Sequence, residues 1–64
     1  MAISEQAAKR ILKGAGAVRV SDSASRELAE LMNSMAYALA KKAVRLAKHA
    51  GRKTVQKSDV DLAK

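Results

Sequence analysis

The 64 residues predict an all-α fold of three helices, short, long and short. Three observations carry that expectation. Proline is absent and glycine occurs only at positions 14, 16 and 51, so glycine divides the chain into three stretches. Within those stretches the apolar residues recur every three or four positions, the spacing of one helix face. Along the longest stretch acidic residues come first and basic residues last, the order that a helix dipole favours.

The first helix opens at Ser4, a residue type that caps helix N-termini, with Glu5 and Gln6 in its first turn. Ala8, Ile11, Leu12 and Ala15 then fall at i, i+3, i+4 and i+7. Gly14 and Gly16 end it. The segment "AVRVSDS" supplies a brief β-favouring stretch around Val18 and Val20. It also offers three candidate caps for the next helix, Ser21, Asp22 and Ser23.

The second helix is expected over residues 22–50. Leu28, Met32, Met35, Leu39, Ala43, Leu46 and Ala50 advance by about 3.7 residues per step, so one face stays apolar with little drift. Leu31, Ala36, Ala40, Val44 and Ala47 widen that face. Asp22, Glu27 and Glu30 lie towards its start, and Lys41, Lys42, Arg45 and Lys48 towards its end. Gly51 stands where a helix stop belongs. Such a helix is roughly 42 Å long at 1.5 Å per residue, more than two short helices can cover. Two copies crossing near Met35, Ala36 and Leu39 would cover it, so a dimer is expected.

After Gly51, "RKTVQKSDVDLAK" begins as a loop and closes as a short helix starting between Gln56 and Ser58. Ser58 and Asp61 have capping-box spacing, and Val60 and Ala63 are expected to face the core.

Composition bounds the function. The length allows one domain, residues 1–64. With no cysteine there is no disulfide or thiolate metal cluster. Much of the 48% apolar content is alanine and Tyr37 is the one aromatic, so a single chain buries a modest core and association is the natural remedy. A net charge of +7 predicts attraction to polyanions, nucleic acid ahead of anionic membrane. The opening "MAISEQAAKRILK" lacks the apolar run of a signal peptide, and a soluble intracellular protein is expected. A membrane-surface helix would want Trp or Phe anchors, which are lacking. Binding of single strands by stacking is disfavoured by a lone tyrosine in mid-helix.

No nucleophile–base set, phosphate-cradling glycine loop or metal-ligand cluster is evident, so catalysis, a metal and a cofactor are not expected. His49, the sole histidine, reads as a helix-end residue at the negative end of the dipole. Residues 31–57 hold seven Lys or Arg and no acid, most of them explicable as solvated helix surface. Arg10 and Lys13, three apart on the first helix, lie away from Ile11 and Leu12. Arg19 sits in a loop between two valines. Lys53 and Thr54 follow the glycine break, where an ammonium, a hydroxyl and backbone N–H groups could meet phosphate oxygens.

The segments "GAVRVSDSA" (16–24), "AKHAGRKTV" (47–55) and "DVDLA" (59–63) closely resemble archaeal histones, and the similarity runs from Ile11 to Ala63. "HAGRKT", with "RVS" upstream at the matching distance, is its most specific part. The first ten residues depart from the family, which often has a proline-containing start, and the third helix is short. The resemblance implies a histone fold and an obligate head-to-tail homodimer, the first loop of one copy beside the second loop of the other. It implies a non-enzymatic protein that binds and bends or wraps double-stranded DNA with little sequence preference, compacting the chromosome in the cytoplasm as part of the nucleoid. Arg19 would then enter the minor groove, held by Thr54 of the partner, while Lys53, Arg10 and Lys13 would serve the DNA surface. Leu46, His49 and Asp59 would form a dimer–dimer interface, with His49 meeting Asp59 of another dimer. Arg52 and Asp59 would form an intrachain ion pair, and Gly16 would permit stacking of layers. Tetramers, superhelical polymers on DNA and heterodimers with histone paralogues are compatible with it. The alternative is a histone-fold subunit of a heterodimeric transcription-regulatory complex.

Overall fold

In a computed structural model that describes residues 2–64, the chain forms three helices and, among the described residues, no strand. They are α1 (Glu5–Gly14), α2 (Asp22–His49) and α3 (Lys57–Ala63). Ser4 caps α1 from an extended conformation, its hydroxyl accepting from the Ala7 amide at 3.1 Å. The stop of α1 is built on Gly16, whose φ of +116° lies where only glycine is comfortable. There the Ala17 amide reaches back to the Leu12 carbonyl and the Gly16 amide to the Lys13 carbonyl, the paired bonds of a Schellman ending.

The β-favouring residues around Val18 and Val20 form no strand. So short a segment needs a ladder partner, and the described residues supply none. Of the three candidate caps for α2, Ser21 takes the role: its hydroxyl accepts from the Ala24 amide at 3.1 Å and its carbonyl from Ser25 at 3.1 Å. Helix α2 then runs 28 residues to His49. Its end repeats the first device, with Gly51 at φ +74° and the Arg52 and Gly51 amides donating to Ala47 and Lys48, both at 2.9 Å.

Helix α3 starts within the expected range, but its cap differs from expectation. Gln56 is the N-cap, and the Asp59 carboxylate accepts from the Gln56 amide at 2.8 Å. Asp61, three residues after Ser58, instead pairs with Lys57 at 2.8 Å and Lys64 at 3.6 Å. The helix begins two residues earlier than a Ser58 cap would place it; Asp59 is buried and Val60 is 39% exposed.

The chain divides into two units, Met1–Ser34 and Met35–Lys64. In the first, Ala8, Ser25 and Ala29 are buried. There the Asn33 amide clasps the N-terminal segment: it accepts from the Ile3 amide (3.0 Å) and donates to the carbonyls of Ile3 (2.9 Å) and Ala29 (2.8 Å). Glu5 and Arg26 add a 2.9 Å ion pair, exposed and therefore worth little. In the second unit Ala43, Ala47, Ala63 and Asp59 are buried.

Among the described residues the hydrophobic core thus consists of five alanines, and no large side chain is fully buried. Leu31, Met35, Ile11 and Leu62 remain 55%, 64%, 52% and 74% exposed. Full burial of such a side chain stabilises a fold by roughly 1.5–3 kcal/mol, of which the single chain leaves half or more unrealised at each of these positions.

Candidate functional site

The loop joining α1 to α2 presents Arg19. The Gly16 turn fixes one end of the loop and the Ser21 cap the other. Arg19 is exposed and, among the described residues, enters no hydrogen bond or ion pair. Val18 beside it is 87% exposed.

The loop joining α2 to α3 is held by Arg52. Its guanidinium meets the Asp59 carboxylate through two parallel bonds of 2.7 and 2.8 Å and also donates to the Thr54 carbonyl at 3.1 Å. A planar fork opposite a carboxylate is the strongest geometry available to such a pair. Asp59 is only 2% exposed, yet none of its polar atoms lacks a partner. Arg52, then the Gln56 amide, lower its pKa from 3.8 to about 2, partly opposed by burial. The same hydrogen bond holds the Arg52 guanidinium above its ordinary value. One ion pair therefore ties the loop, the Thr54 backbone and the first turn of α3 together. The side chains of Lys53 and Thr54 stay exposed.

Arg10 and Lys13 lie with Gln6 and Lys9 along one shallow, exposed face of α1. Elsewhere, Leu46 and His49 line a groove of about 360 Å³ together with Lys42, Arg45, Leu62 and Ala63. Asp59 does not line it. Leu62 is a member of this groove that sequence reasoning missed, although a signal was present: Asp59, Leu62 and Ala63 fall at i, i+3 and i+4 of α3. A side chain added at Gly16 would meet nothing within 4 Å, so its left-handed backbone alone accounts for glycine there in one chain. Arg19 belongs to the first unit, Lys53 and Thr54 to the second. Among the described residues, no helix is long and apolar enough to cross a membrane, and no cluster of His, Cys, Asp or Glu could hold a metal ion.

Residues 3–63 match the family described as histone-like transcription factor (CBF/NF-Y) and archaeal histone. One component of the archaeal histone HAN1 from Thermococcus zilligii is 50% identical over 54 residues, which cover 84% of this chain and 81% of that protein. Probable archaeal histone 3 of Methanocaldococcus jannaschii is 54% identical over 54 residues, with the same coverage.

Proposed function

This chain belongs to the family of histone-like transcription factors and archaeal histones, and from that membership we propose that it packages double-stranded DNA as a head-to-tail homodimer. The observation that carries the reading is the pair of braced loops. Each is pinned by its own hydrogen bonds, and each leaves its candidate DNA residues exposed: Arg19 on one, Lys53 and Thr54 on the other.

In the proposed dimer all 64 residues act as one histone-fold domain that a second copy completes. Arg19 enters the minor groove where it faces the protein, and Thr54 of the second copy steadies it. Arginine suits a narrow groove because its charge reads the local potential without requiring particular bases. Lys53, Arg10 and Lys13 neutralise phosphates. Binding so built has little sequence preference, favours flexible DNA and compacts the chromosome of a cytoplasmic nucleoid. The uncovered apolar face of α2 supports the dimer, since large exposed apolar patches are unusual on monomers.

Leu46, His49 and Leu62 then serve a dimer–dimer contact, giving tetramers or longer assemblies. His49 reaching Asp59 of a neighbouring dimer is the hardest part to accommodate. Asp59 Oδ1 accepts only from Arg52 and keeps one acceptor position, but the residue is nearly inaccessible. Gly16 is assigned to close approach of successive layers. The same open α2 face could take a histone paralogue, so one chain of a heterodimeric transcription-regulatory complex is the second reading.

Titration of duplex DNA across salt tests the main proposal. The logarithm of affinity should fall against the logarithm of salt with a slope of about 0.9 per phosphate contact. Affinity unchanged from low to moderate salt would reject it.

A further inference from the structure

The groove of about 360 Å³ on the second unit is lined from α2 by Lys42, Arg45, Leu46 and His49 and from α3 by Leu62 and Ala63. Lys42, Arg45 and His49 are spaced i, i+3 and i+7, so the three bases follow one edge over two helical turns, roughly 10 Å. All three are exposed, and Leu62 is 74% exposed. The groove is thus an apolar trough with bases along one edge and no acid in its lining.

The second unit has no free acid to neutralise that edge. Residues 35–64 contain two acids. Asp59 is 2% exposed and held by Arg52, and Asp61 is paired with Lys57 and Lys64. Lys42, Arg45 and His49 enter no ion pair among the described residues. The unit's other unpaired bases lie outside the groove: Lys41 sits 5.7 Å from the centre of the Tyr37 ring, and Lys48 and Lys53 do not line it. When the groove meets its own copy, its bases find no acid. Duplex DNA matches the bases but leaves the leucines against phosphate. A helix with apolar residues on one face and acids beside them matches both.

We propose that this groove docks an acidic amphipathic helix of another protein, seated on Leu46 and Leu62 with its acids facing Lys42, Arg45 and His49. Where dimers meet through Leu46, His49 and Leu62, such a helix displaces the neighbouring dimer. The inference goes beyond DNA packaging and does not depend on it.

The probe is a synthetic peptide of about four helical turns, with leucine along one face and glutamate beside it. Its control has the same composition, reordered so that leucine is spread around the helix. Binding of each to the full chain is read by fluorescence anisotropy near physiological salt, where diffuse attraction is screened. The amphipathic peptide should bind at least about tenfold more tightly than its control. Leu62→Ser, and Lys42→Glu with Arg45→Glu, should each remove about tenfold of that affinity while helical circular dichroism stays that of the parent. Lys41→Glu with Lys48→Glu, the same change of charge outside the groove, should cost about threefold at most.

Equal affinity of the parent for the two peptides, a measurement that needs no variant, would overturn the proposal. Equal losses from the two charge reversals would do the same and assign the binding to net charge. Groove variants that lose DNA affinity while the parent ignores the amphipathic peptide would give the groove to DNA. Variants that lose only higher assembly would give it to a neighbouring dimer. Each of these results leaves DNA packaging standing.

Discussion

Asp59 is the residue on which the second loop depends. Its carboxylate accepts from Arg52 twice and from the Gln56 amide once, and its pKa falls to about 2 as a result. A carboxylate whose folded pKa is depressed stabilises the fold above its unfolded pKa, here near 3.8, and loses that contribution as pH falls towards 2. Thermal unfolding between about pH 5 and pH 2 should show this group as a decline in Tm. Asp59→Asn should lower Tm by several degrees at pH 7 and flatten the decline, because Arg52 is then left without its anion. An Asp59→Asn curve parallel to that of the parent would contradict the assignment. At the same scale, Arg19→Ala and Thr54→Ala should each weaken DNA binding, and the double variant should lose far less than the sum of the two. Groups that act through one contact couple, whereas independent ones add. Simple additivity would separate the two residues.

The helix stops show how an element can be legible while its details are not. Gly16 and Gly51 are readable as terminators because the apolar periodicity breaks at both, and each adopts positive φ within the same pair of hydrogen bonds. At Gly51 an added side chain would meet no atom within 4 Å, so Gly51→Ala isolates the backbone term. It should destabilise the fold by about 1 kcal/mol, lowering Tm by roughly 4–8 °C for a chain of this size. No measurable change would mean that the left-handed conformation is not needed. The start of α3 is not legible to the same accuracy. Ser58 is the better capping residue by type, yet Gln56 holds the position. What decides is the demand of Arg52 for a carboxylate at Asp59, a contact seven residues apart that local propensity does not encode.

At the level of the whole molecule the uneven charge and the thin core belong together. The first 34 residues hold five Lys or Arg against four acids, the remaining 30 hold eight against two, and the core of both units is made of alanine. A chain whose large apolar side chains are exposed should draw much of its stability from association. Its Tm should then rise with protein concentration, as mass action requires when only the associated state is fully folded. A Tm independent of concentration over a hundredfold range would argue for a self-sufficient monomer.

Helix number, order and approximate ends, the excess of positive charge and the exposed positions of Arg19, Lys53 and Thr54 followed from residue type and spacing. Glycine, caps and periodicity act within a few residues of themselves, so their effects can be read along the chain. The forked geometry of the Arg52–Asp59 pair, the Asn33 clasp on Ile3 and the placing of Leu62 beside Leu46 and His49 were decided by folding. Each joins residues whose spacing in sequence fits several partners, and only packing in three dimensions chooses among them.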